Sequence, residues 1–155
     1  MSELVRGTSG EALDYFGNRY VIFADAAATE GRYGLMLLSL RAGREPPPHT
    51  HAREDEACWI LSGRWTFSVG DETFDASPTQ FVQLPRGIQH RITVDRDGAS
   101  ALVLIAPGGF EEAFRTLGRP FGGDGMPPLP DGPPDIKAIL RVMTEHGVTI
   151  SPPGA

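Results

Sequence analysis

One cysteine, Cys58, stands among the 155 residues, so no disulfide can form within the chain. Basic charge is scarce as well, with 14 Lys and Arg against 20 Asp and Glu, a net charge of −6 and a pI near 5.1. Without a basic surplus to neutralise phosphates, the composition argues against nucleic acid and anionic membrane surfaces, and a small-molecule partner is expected. No apolar run approaches the roughly 20 residues of a membrane helix. The opening residues 1–7 lack a charged lead followed by an apolar stretch, so a cytoplasmic protein is expected. A helical period is missing from residues 20–107, which excludes a helical bundle there.

Short apolar or alternating runs separated by turns fill that region instead. Residues 20–23 are apolar and β-branched, and 33–40 are apolar apart from Ser39, which predicts burial on both faces. In residues 64–69, Trp65, Phe67 and Val69 alternate with Arg64, Thr66 and Ser68, and Gly70-Asp71 turns the chain into the next strand. Further strands are expected at 79–84, 90–94 and 101–106. This succession predicts an all-β domain, an antiparallel sandwich or barrel, and 155 residues are one domain's worth. Residues 1–19 read as an N-terminal arm or short edge strand, 20–107 as the β-domain and 108–155 as a C-terminal helical extension.

Within that extension, Phe110, Ala113, Phe114 and Leu117 share one face of a short helix, with Glu111 and Glu112 in the first turn where the helix dipole favours them. A second helix starts after Asp135 as its cap, carries the stripe Ile136, Ile139, Leu140 and Met143, and stops at Gly147, with His146 a partner for its C-terminal dipole. The intervening residues 118–134 are rich in Gly and Pro, the composition of a surface linker or of a lid over the site described next.

The chemistry concentrates between Gly43 and Gly63. On an extended backbone His49 and His51 share a face with β-carbons roughly 7 Å apart, close enough to meet one ion. Glu56 follows at an odd step, which requires the polar residues 52–55 to form a turn or bulge that re-aims the next strand. A solvated histidine pair beside an acidic turn would have the same local sequence. The fourth candidate is His90, delivered by the turn Pro85-Arg86-Gly87, so three of the four histidines fall in two motifs. Pro46, Pro47 and Pro48 hold the chain extended and place His49 at a sheet edge or barrel mouth.

The spacing Gly43, His49, His51, Glu56, Gly63 matches the first signature motif of the cupins, and Pro85, Gly87 and His90 are similar to the core of their second. Thr79 and Val94 stand where the second motif usually has glycine and asparagine. Across residues 20–107, with the C-terminal Gly-Phe-Glu-Glu-Ala-Phe segment, the chain resembles the single-domain quercetin 2,3-dioxygenase-like cupins. That resemblance implies a double-stranded β-helix, the jelly-roll-like cupin barrel, and a homodimer.

Three imidazoles and a carboxylate suit one divalent transition metal ion, whether Fe, Mn, Ni, Co, Cu or Zn. His49, His51, Glu56 and His90 are the expected ligands, with Glu56 also a catalytic base. If Glu56 faces inward, alternation sends Cys58 and Ile60 inward with it and Trp59 and Leu61 outward. Phe67, Phe81 and Ile92 complete the expected substrate pocket. The resemblance implies a dioxygenase acting on a flavonol-like or other enolisable aromatic compound. A non-redox isomerase or polyketide cyclase, and a binding protein without turnover, are the alternatives.

Overall fold

Alternating side chains build the strands, and the computed structural model, which describes residues 4–152, shows how they assemble. Residues 1–3 of the expected arm and 153–155 of the expected extension lie outside that range. The elements run β1 (Glu11–Tyr15), β2 (Asn18–Ala24), α1 (Ala26–Thr29), β3 (Gly34–Leu40), β4 (His49–His51), β5 (Asp55–Ser62), β6 (Trp65–Val69) and β7 (Glu72–Ala76). They continue with β8 (Phe81–Leu84), β9 (His90–Val94), β10 (Ala99–Ala106), α2 (Glu111–Leu117), β11 (Arg119–Pro120), α3 (Ile136–Glu145) and β12 (Val148–Ile150).

The strands form two antiparallel sheets, in the orders β11-β1-β2-β3-β10-β5-β8 and β12-β4-β9-β6-β7. Their inner faces close on one core in which Met36, Leu40, Ile60, Trp65 and Phe67 are fully buried, giving the expected all-β barrel. In β10 the alternation is regular, with Ala99, Ala101, Val103 and Ile105 inside. β3 departs from the expected burial on both faces: Met36 and Leu40 are buried, whereas Leu35 and Leu37 are only half-buried. Gly63 ends β5 at φ 74, where a Cβ would lie 2.7 Å from that of Ala99, so only glycine fits the turn.

Several segments depart from expectation. The connection between β2 and β3, which reads as turn-like in residues 26–31, contains a one-turn helix, α1, capped by Asp25, whose Oδ1 accepts from Ala28 N at 2.9 Å. β1 lies inside the larger sheet, between β2 and the two-residue β11. In α3 the buried residues are Val142 and Met143, with Ile139 packed partly against the core, while Ile136 and Leu140 face outward. Glu111 lies in the first turn of α2 as expected and is fully buried there: Oε1 accepts from Ala26 N at 2.6 Å and Oε2 from Gly109 N at 2.9 Å. A Cβ on Gly34 would sit 2.5 Å from that carboxylate, so glycine opposite Glu111 lets α2, α1 and β3 meet.

The Gly/Pro segment is held against the body of the protein. Arg41 Nη2 donates to Pro127 O at 2.6 Å, and the Pro130 ring lies against Gly17. Both contacts are at the Asn18/Leu40 end of β2 and β3. Glu56 is in register with Ile105, and Ile105 with Gly34, at the opposite end of β3. At about 3.3 Å per residue the two ends are roughly 20 Å apart, so this segment does not cover the histidine site as a lid would.

Candidate metal centre

His49 and His51 lie on β4 in the smaller sheet, whereas Glu56 is the second residue of β5 in the larger one. The turn 52–54 therefore carries the chain from one sheet to the other, and strand parity does not run through it. This is why an odd step still brings Glu56 to the same interior as the histidines. β4 is not a sheet edge, as the prolines before it suggested, because β12 covers it. His90 opens β9 in register with His49, and the turn before it is tied back by Gly87 N donating to His51 O at 2.7 Å.

These four residues offer donor atoms that all lie within 4.8 Å of one another. Glu56 Oε2 is 3.1 Å from His90 Nε2 and 3.6 Å from His51 Nε2. His51 and His90 are each 2 % exposed, and His51 Nε2 and both ring nitrogens of His90 have no hydrogen-bond partner. The His90–Glu56 contact is thus one of proximity without hydrogen-bond alignment. Orphaned buried polar atoms are costly unless something satisfies them, and here they converge with a carboxylate. The donor set of three nitrogens and one oxygen fits a divalent transition metal.

Hydrogen bonds beyond the donors orient them. His49 Nδ1 bonds Pro47 O at 2.9 Å and His51 Nδ1 bonds Glu54 Oε2 at 3.0 Å. A carbonyl and a carboxylate can only accept, so each Nδ1 carries a proton and, in the neutral ring, each Nε2 is left with the lone pair. Phe110 packs edge-on against the His51 ring at 4.6 Å between centroids. Glu54, which reads as part of a solvated acidic turn, is buried with His51. Its position three residues after a ligand histidine, across a tight turn, was the available signal. Phe110 and β12 carried no local signal, since their role depends on the return of the C-terminus to the barrel.

Burial holds the His49 imidazole down to about 4, helped by the neighbouring His90 and His51 charges, with Glu56 opposing. For His51 burial also opposes the charge, but the Glu54 bond and the Glu56 and Glu54 charges prevail and raise its pKa. Burial works against the Glu56 carboxylate in turn, yet His90 and the charges of the three imidazoles lower it to about 2. Burial, then the Glu56 charge, pushes the Cys58 thiol up, so it remains protonated.

Of the expected pocket residues, Cys58, Ile60, Phe67 and Ile92 point inward and belong to the core. Phe81 does not: it is 61 % exposed on the outer face, in register with Trp59, and Val82 and Leu84 are the inward residues of β8. The turn before β8 resets the strand's phase, which alternation from neighbouring strands cannot supply. Trp59 and Leu61 are outward, each 44 % exposed, and with Phe81 and Leu104 form an apolar strip on the larger sheet. A separate cleft of about 330 Å³, lined by Asp14, Phe16, Leu117, Arg119 and residues 130–135, contains none of the four donors. Among the described residues no helix is long and apolar enough to cross a membrane.

Comparison with known proteins agrees with this architecture. Residues 36–108 match the cupin domain. The chain is 27 % identical over 106 residues to quercetin 2,3-dioxygenase of Bacillus subtilis, covering 68 % of this chain and 32 % of that protein. It thus spans about a third of the length of that enzyme. An uncharacterized protein of Streptomyces coelicolor is 29 % identical over 93 residues, covering 54 % of this chain and 88 % of its own. Among solved structures, KdgF from Halomonas superposes with a TM-score of 0.56 at 18 % identity, over 62 % of this chain and 85 % of that one. The nucleoside dehydratase Pac13 gives 0.57 at 13 % identity, over 78 % of this chain and 92 % of that one, and a Streptomyces Pac13 variant with uridine superposes equally well. At such identities the structural likeness speaks for the fold. The match over residues 36–108 and the two closed antiparallel sheets together place a cupin domain in this chain.

Proposed function

We propose that this chain is a metal-dependent enzyme of the dioxygenase type, acting on a flavonol-like or other enolisable aromatic small molecule. The observation that carries the reading is the convergence of His49, His51, His90 and Glu56 within 4.8 Å, with orphaned imidazole nitrogens of His51 and His90 among the donors. The identity shared with quercetin 2,3-dioxygenase supports the oxidative form of it.

His49, His51, His90 and Glu56 would hold one divalent transition metal ion. Once bound, that ion supplies Lewis acidity to a substrate oxygen and, if redox-active, a route to dioxygen. The Pro47 carbonyl and Glu54 keep the His49 and His51 rings in their binding tautomer. Glu56, whose Oε2 lies beside His51 and His90, is the carboxylate that would take the proton of the substrate hydroxyl. Cys58, Ile60, Phe67 and Ile92 form the apolar inner wall, where the protonated Cys58 acts by shape and not as a nucleophile. The acidic chain and apolar wall favour a neutral aromatic substrate over a phosphorylated one. The outward strip of Trp59, Leu61, Phe81 and Leu104 is the contact surface of a homodimer.

The test joins elemental analysis to oxygen uptake. Wild type is expected to hold about one redox-capable ion per chain and the His49→Ala/His51→Ala variant none. Phenolic substrates should drive oxygen uptake that disappears in Glu56→Gln. Turnover under strict anaerobiosis would identify a non-redox isomerase or cyclase instead, and tight binding with quantitative recovery of the ligand would identify a binding protein.

A further inference from the structure

β4 carries two of the four donors but is only three residues long, and the prolines before it have no N–H to extend a ladder. Toward β9 it shares one register pair, His49 with His90. Toward β12 it shares three: His51 with Val148, Thr50 with Thr149 and His49 with Ile150. Ala52 N donating to Gly147 O at 2.9 Å and Ser151 N donating to Pro48 O at 2.8 Å prolong this pairing at both ends. Register partners share a face, so Val148 and Ile150 flank the imidazoles, and both pack with the core.

The same C-terminal segment grips the site at two further points. Arg53, in the turn after β4, donates from Nη1 to Glu145 O at 3.2 Å, at the negative end of α3. Its side chain also lies where a Cβ on Gly147 would come within 2.9 Å of Nε. Ser151 Oγ donates to Gln89 Oε1 at 2.7 Å, next to His90. Val142 and Met143 anchor α3 in the core. We propose that α3 and β12 form a positioning clasp that holds the two β4 histidines against Glu56 and His90, so that the C-terminal segment sets how long the site retains its metal. This inference rests on the metal-binding reading of the site.

Thr149 is exposed, and the bonds of Gly147 and Ser151 to Ala52 and Pro48 make Thr149 and Thr50 the hydrogen-bonded pair between them. Thr149→Pro therefore removes ladder bonding without emptying the core, and Thr149→Ala keeps the ladder. Release of Co(II) from loaded protein to a chelator, and amide exchange of the metal-free protein, are measured on wild type and both variants. Thr149→Pro is expected to release Co(II) at least tenfold faster, with residues 50–52 losing protection while β5 and β10 keep theirs, and Thr149→Ala to behave as wild type. An unchanged release rate in Thr149→Pro overturns the clasp, whatever the exchange shows. Should that variant not fold, Arg53→Ala decides: several-fold faster release supports the clasp and a wild-type rate overturns it. Wild type that binds no Co(II) overturns the metal-binding reading and the clasp with it, whereas normal loading of wild type with unchanged release in the variant overturns the clasp alone.

Discussion

Thr79 adopts φ 73, the left-handed region, at the position where the second cupin motif usually has glycine. For an L-residue this conformation costs roughly 1–2 kcal/mol, and a β-branched side chain belongs at the upper end. The turn is set by the backbone: Thr79 N donates to Ile60 O at 2.9 Å, and Gln80 N to Ser77 O at 3.0 Å. Since Thr79 is exposed, Thr79→Gly removes no core packing. Glycine relieves the strain but adds about 0.5–1 kcal/mol of unfolded-state entropy, leaving a net stabilisation of about 0.5–1.5 kcal/mol. At this chain length that raises Tm by about 1–5 °C, measured by calorimetry on the metal-free protein. Thr79→Asn, whose side chain tolerates the conformation, should also exceed wild type, while Thr79→Ala should gain least. A Thr79→Gly variant no more stable than wild type would refute the reasoning, since the left-handed backbone would then cost threonine nothing here.

Three further outcomes follow from the site and its surroundings. Glu54→Gln keeps an acceptor for His51 Nδ1 but removes the charge behind it, so metal affinity should fall about 10–100-fold in a chelator competition while the circular dichroism of the fold is unchanged. Metal binding must displace a proton from His51, whose pKa is raised, whereas His49, held to about 4, is already neutral near pH 6. Affinity should therefore drop by about tenfold per pH unit on acidification below the His51 pKa and level off above it; a titration that is flat down to pH 5 would contradict the assignment. Wild type should run as a dimer in light scattering, and Trp59→Glu/Phe81→Glu as a monomer with the barrel intact, because those outward side chains contribute nothing to the core.

Much of this protein was legible locally. Spacing in 43–63 and 85–90 marked the four donors, and the structure brings these residues together. Alternation placed Cys58 and Ile60 inside and Trp59 and Leu61 outside, since all four lie on one uninterrupted strand with Glu56. The same device failed for Phe81, which lies beyond the turn containing Thr79, where the backbone conformation resets the phase. Glu54 was hidden in an acidic run because a solvated carboxylate and one bonded to a buried imidazole have the same local sequence.

What the sequence determined by itself was therefore what short-range chemistry encodes: the strand periodicity, the turns, the spacing of the donor residues, and the Asp135 cap of α3. Tertiary structure decided which sheet each strand joins, that β12 pairs with β4 across about a hundred residues of chain, and that Glu111 accepts from the Ala26 and Gly109 amides instead of facing water. It also decided that the Gly/Pro segment lies away from the donors. The physical reason is that period and spacing are properties of consecutive residues, whereas backbone pairing and burial depend on which distant surfaces meet when the apolar faces close on one core.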